Sequence, residues 1–180
     1  YYPSIAELQT TWTTNTRWDD LVFRPTPVSN NTTVQVQSSN DRTMFQASAN
    51  YYLDNGMYIE DTYRKYGGNF SVEHKLLDNL RMKVSANITS NKRHNNGVLA
   101  YWRNPIFPVY DDNGDYWLYG AQDYSHPLAL TNLQKNDSKG LDIISFASVN
   151  WDVLPCLNVM AQFNYKHGEQ ITDKYFPKKY

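Results

Sequence analysis

The chain has 180 residues, 17 Lys+Arg against 18 Asp+Glu, and a formal net charge of -1. That balance excludes a general basic surface for nucleic acid and an acidic disordered tail. The 15 Tyr, 5 Trp and 7 Phe exclude a disordered chain, which is poor in aromatics. No run of 18 apolar residues occurs, so no transmembrane helix is expected; a transmembrane β-strand needs only about ten residues of alternating polarity.

In chain order, residues 1–32 hold no long period and read as one loop, with a helical turn at Ile5 to Leu8 and an extended Arg24-Pro25-Thr26-Pro27 stretch. From Thr33 the period becomes two. Strands are expected over about 33–37, 42–53 and 64–77, separated by the Ser39-Asn40-Asp41 and Asp54-Asn55-Gly56 breaks. Asp78-Asn79 turns the chain into the most regular strand, where Leu80, Met82, Val84, Ala86 and Ile88 alternate with Arg81, Lys83, Ser85, Asn87 and Thr89. The alternation then stops over about 93–138. It returns in strands over about 139–152 and 157–167, joined at Leu154-Pro155.

The fold class this predicts is all-β, an antiparallel meander of about six strands. Successive turns of a meander fall on opposite edges, so the short turns share one edge and the long connections the other. A soluble sandwich has no reason to sort its turns by length. A membrane barrel does, with short turns on one side of the bilayer and long loops on the other. A soluble secreted all-β glycan-binding module is the alternative, with the apolar faces on a core. Tyr51, Tyr66, Trp151 and Tyr165 would then edge that core; in a barrel they would be interfacial girdle residues.

Several segments resemble, in order, the SusC-like (SusC/RagA-type) TonB-dependent outer-membrane transporters of Bacteroidetes. Asn15-Thr16-Arg17-Trp18-Asp19-Asp20-Leu21-Val22-Phe23-Arg24 is similar to that family's N-T-D-W-Q-D-x-I-F-R segment. Ser38-Ser39-Asn40-Asp41-Arg42-Thr43-Met44-Phe45 resembles its G-G-N-D-K-T-x-Y turn, and Ala49 to Gly56 its x-x-Y-L-x-x-x-G strand end. Asn104-Pro105-Ile106-Phe107-Pro108-Val109-Tyr110-Asp111-Asp112-Asn113-Gly114 resembles its x-P-I-x-P-V-Y-D-x-x-G loop, and His126-Pro127-Leu128-Ala129 its N-P-L-A. Arg17, the Ser38-Ser39 pair and His126 depart from the family's Asp, Gly-Gly and Asn.

The resemblance implies six strands of a larger, 22-stranded transmembrane β-barrel with long extracellular loops, in the outer membrane of a Gram-negative bacterium. It divides the chain into an extracellular loop (1–32), four strands (33–92), a long extracellular loop (93–138) and two strands (139–170), with the plug domain and TonB box absent. Six strands cannot close such a barrel, so a stretch of a longer chain is expected. The implied function is uptake of oligosaccharides or peptides. The implied partners are a SusD-like surface lipoprotein lid, TonB acting through the plug, and outer-membrane lipid.

The long loop holds the candidate contacts for substrate or partner: Tyr101, Trp102, Arg103, Tyr110, Asp111, Asp112, Tyr116, Trp117 and Tyr119. Trp and Tyr interleaved with Asp suit a sugar or peptide, rings stacking while carboxylates bind hydroxyls or amides. The same rings, with Phe107 and Tyr124, could simply pack the loop on itself. Asp111-Asp112-Asn113-Gly114-Asp115 superficially matches a calcium loop, but Tyr116 stands where an EF-hand needs Gly and Gln122 where it needs Glu, so a turn is expected. His74, His94, His126 and His167 have no metal-ligand spacing, Cys156 has no neighbouring His, and the Asp19-Asp20 and Glu60-Asp61 pairs point to opposite faces if extended. No enzyme, metal or other cofactor is expected.

Overall fold

A computed structural model of the chain describes residues 4–10, 14–95, 103–119 and 126–178. Two short helices, α1 (Ile5–Thr10) and α2 (Trp18–Val22), precede the strands β1 (Ser29–Ser39), β2 (Thr43–Asn55), β3 (Thr62–Leu77) and β4 (Leu80–His94). A third helix, α3 (Pro127–Leu133), leads into β5 (Lys135–Leu154) and β6 (Leu157–Tyr175). The strands form one antiparallel sheet in the order β1-β2-β3-β4-β5-β6.

The N-terminal region is thus not one loop, and every strand outruns its alternating stretch at one end or both. β4 continues to His94, β5 starts at Lys135 and β6 ends at Tyr175. Ladder pairing is a backbone property and persists where side-chain alternation fades. Past Ile88 and Leu141, both faces of the sheet turn polar, and periodicity alone loses the strand.

Register fixes which side chains share a face, because directly paired residues point the same way. Val34, Ala49, Gly68, Ile88, Ile143 and His167 form one cross-strand row; Val36, Ala47, Phe70, Ala86, Ser145 and Tyr165 form the next. Toward the short turns follow Phe45, Val72, Val84, Ala147 and Phe163, then Met82, Val149 and Ala161. The opposite face holds Lys65, Glu73, Lys75, Arg81, Lys83, Asn87 and Gln162. Polar groups there satisfy one another: Asn50 Nδ2 donates to Asn31 Oδ1 and Thr33 Oγ1, both at 2.8 Å.

The apolar face is uncovered. Phe163 is 66 % exposed, Val36 59 %, Ile88 49 % and Trp151 46 %, while the buried hydrophobic residues among those described are Trp18, Val22 and Ala129, all outside the sheet. A soluble sheet of this size would lay that face on a second layer. Ring pairs run across it, Phe45–Phe70 at 5.7 Å and Tyr51–Tyr66 at 5.2 Å between centroids. From Leu80 to Ser90 the band covers about 33 Å of strand, which at a tilt near 40° is about 25 Å of height, the thickness of an apolar barrel belt. Trp151 lies at its short-turn edge. Tyr51 and Tyr66 lie at its loop edge, and Tyr165 is the last aromatic on β6 before His167 and Glu169.

Candidate functional site

The short turns at 40–42, 78–79 and 155–156 occupy one edge of the sheet. At the other edge three segments meet: residues 14–28, the β2–β3 connection at 56–61, and the described parts of the β4–β5 connection. The N-terminal segment stitches them together. Thr16 donates its N–H to Pro105 O (2.8 Å) and its Oγ1 to Phe107 O (2.7 Å), and Thr14 Oγ1 donates to Ile106 O (2.7 Å). Further along, Arg24 N donates to Met57 O (2.7 Å), Ile59 N to Val22 O (2.9 Å) and Asn55 N to Val28 O (3.0 Å), while the Phe23 and Tyr58 rings pack at 5.1 Å.

Trp18 and Val22 are the core of this module, with Leu21, Phe23, Tyr58, Phe107 and Val109 against them. Trp18 Nε1 donates to Asn104 O at 3.1 Å. Its ring meets the buried His126 edge-on at 5.2 Å. His126 caps α3: its Nδ1 accepts from Ala129 N (3.1 Å) and its Nε2 faces Val109 O (3.0 Å). One accepting and one donating nitrogen describe a neutral imidazole with the proton on Nε2. His126 therefore both caps α3 and ties it to residue 109.

The candidate contact residues divide. Arg103 is 5 % exposed; its guanidinium lies 5.3 Å from the Trp18 ring centroid, 5.5 Å from Phe107 and 5.7 Å from Trp117, and donates to Trp117 O at 2.8 Å. Trp117 packs on Phe107 at 4.9 Å, and Tyr116 sits 5.0 Å from His126. These three hold the loop together, as self-packing would have them. Tyr110, Asp112 and Tyr119 are exposed. Tyr110 stacks on Tyr116 and Tyr119 on Phe107, both at 5.5 Å, and both tyrosines stay about half exposed. Tyr101 and Trp102, like Tyr124, lie outside the described residues.

Asp111 builds a hairpin. Its Oδ1 accepts from Asn113 N and Asp115 N, both at 2.9 Å, and Asp111 N donates to Asp115 O at 2.8 Å. Gly114 has φ +85°, a backbone region that other residues enter only at cost. The acidic run is thus a turn. Gly114→Val should destabilise the hairpin by about 1–2 kcal/mol, read as faster amide exchange at 111–117 with the strand amides unchanged.

The residues that sequence reasoning did not assign to the site are Asn15, Thr16, Arg17, Trp18 and Asp19. With Phe23, Arg103 and Pro105 they line an open cleft of about 410 Å³. A Trp followed by two Asp in an otherwise Thr/Asn-rich segment was the available signal. A second cluster closes the base of the module, beyond the apolar band: His94 Nδ1 hydrogen-bonds to Asp137 Oδ1 while its Nε2 lies 3.5 Å from Glu60 Oε2. The hydrogen bond from His94 holds the Asp137 carboxyl below the usual carboxylate range, against a smaller opposing effect of burial.

No protein-family model and no curated protein matches this sequence. Solved structures do. The chain is similar to a chain of the RagAB peptide importer in its closed-closed state, with a TM-score of 0.68 and 17 % identity over 89 % of this chain and 20 % of that one. It is likewise similar to a chain of the RagAB peptide transporter, with a TM-score of 0.67 and 16 % identity over 88 % of this chain and 19 % of that one. At such identities the likeness is one of fold, and the chain spans about a fifth of the solved chains it matches. The fold is that of a β-barrel fragment, six consecutive antiparallel strands in one sheet, as the resemblance of the sequence motifs implies.

Proposed function

We propose that this chain is part of the wall and loop surface of a TonB-dependent importer in the outer membrane of a Gram-negative bacterium, a transport protein and not an enzyme. One observation carries the reading: a six-stranded meander with an uncovered apolar face, a polar opposite face, short turns at one edge and a packed loop module at the other. The apolar face meets lipid, and the polar face lines the lumen, where Glu73, Lys75, Arg81 and Lys83 meet water and plug. The loop module faces the cell exterior. Its exposed Tyr110, Asp112 and Tyr119 contact either substrate or a SusD-like lipoprotein lid, and TonB supplies energy through a plug elsewhere in the full chain. The solved importers that share this fold take peptides by name, and oligopeptides are the substrate class to test first, oligosaccharides second.

Labelling tests the placement. In the full transporter carrying Asp112→Cys, a membrane-impermeant maleimide should label position 112 on intact cells. The native Cys156, exposed in the β5–β6 turn, should react only after the outer membrane is opened. Labelling of Cys156 on intact cells, or recovery of the full protein in the soluble fraction without detergent, would overturn the reading.

A further inference from the structure

We propose that Arg64, Lys92 and Lys139 form a binding row for the phosphate groups of an outer-leaflet glycolipid; this rests on the membrane placement above. The three are directly opposite one another on adjacent strands, Arg64 with Lys92 and Lys92 with Lys139. They point to the apolar face, two residues beyond Tyr66, Ser90 and Leu141, where the band ends. Between this row and the short turns, the apolar face of β2 to β5 carries no Lys, Arg, Asp or Glu. On β3 to β5 the first charges met on leaving the band are three cations side by side.

Like charges placed opposite one another in a sheet repel. At cross-strand spacing of about 5 Å, three of them span about 10 Å. The fold offsets this only in part: all three are exposed, none enters an ion pair among the described residues, and the compensation is a longer-range attraction between Lys92 and the Asp137 carboxylate. The outward carboxylates nearest them are Asp137, which is hydrogen-bonded to His94, and on β6 Glu169 one row inward and Asp173 one row outward. A row of fixed cations at the headgroup level, flush with an apolar wall, complements a phosphorylated lipid whose acyl chains lie on Ile88, Tyr66 and Leu141 while its phosphates bridge the cations. On the lumen face Lys83 faces Glu73 and Lys65 faces Asn91, while Lys75 faces Arg81 at the short-turn end, far from the loop edge where the outward row lies.

The test uses the full transporter purified in detergent and exchanged into phosphatidylcholine bicelles. The probe is a diglucosamine acyl glycolipid carrying phosphate, set against its dephosphorylated form and against inorganic phosphate. Binding is read by native mass spectrometry. Each basic residue near an anionic headgroup contributes roughly five-fold in affinity, so Arg64→Gln/Lys92→Gln/Lys139→Gln should bind the phosphorylated lipid about 100-fold more weakly. Lys65→Gln/Lys83→Gln on the opposite face should bind it as wild type does. Should the triple variant fail to assemble, Lys92→Gln alone should lose about five-fold. Equal binding of the dephosphorylated lipid, equal binding of the triple variant, or saturation of the row by inorganic phosphate alone would overturn the proposal. A protein that fractionates with the outer membrane and yet gives one of those results sinks this inference alone; one that is soluble without detergent sinks the membrane reading beneath it.

Discussion

Val84→Arg should cost the assembled transporter about 2–4 kcal/mol, whereas Ser85→Arg, one residue along, should change little. Val84 lies mid-band on β4, paired with Val72 and Ala147, and an Arg there sits at bilayer depth with no water to solvate it. Ser85 points to the polar face, paired with Ser71 and Phe146, where an added guanidinium stays hydrated. The measurement is guanidinium unfolding of the full protein in phosphatidylcholine vesicles. Val84→Phe separates lipid from protein as the covering medium. Lipid chains deform around a larger side chain, so the variant should be within about 0.5 kcal/mol of wild type. A close-packed protein layer would be overfilled and lose about 1–3 kcal/mol. A large loss for Val84→Phe would mean that a second protein layer, not a bilayer, covers this face.

The middle of each strand was legible because a bilayer or a core imposes alternation there. Val84 through Ile88 could hardly be read otherwise. The strand ends were not. Asn30, Lys92, Ser138 and Thr172 pair as regularly as the centre, yet they stand where both faces are wet and the residue type is free. The loop module was the least legible. Its core depends on Trp18 meeting Asn104, Arg103 and His126 across a separation of more than 80 residues, and no local period records such a contact. Of the aromatic candidates, sequence could not tell Trp117, whose ring closes the module, from Tyr119, whose ring caps it from outside. Both occur in the same Tyr/Trp-rich run, and only the side chain's direction separates them. His126 looked like an isolated histidine and proves to be a buried helix cap with a defined tautomer.

Trp18→Ala should release the loop module while leaving the sheet intact. Trp18 is 3 % exposed, donates to Asn104 O, and supplies one wall of the box around the Arg103 guanidinium. Removing a buried Trp costs about 3–5 kcal/mol, and this module has few other buried hydrophobic groups with which to absorb it. The strands do not rest on Trp18, so the loss stays local. Amides over 103–119 should exchange fast and proteases should cut there on intact cells, while amides of β2 to β5 keep their protection. Tyr110→Ala and Tyr119→Ala are the counterparts. These residues are 51 % and 45 % exposed, so truncation should leave exchange in the module nearly unchanged. If these rings meet substrate or lid, each variant should nevertheless lower peptide uptake or lipoprotein capture by roughly ten-fold, the scale of one exposed aromatic anchor made buried on binding. Uptake that falls with Trp18→Ala but not with either Tyr variant would mean that the module acts only as a scaffold. The contacts would then come from loops elsewhere in the full chain.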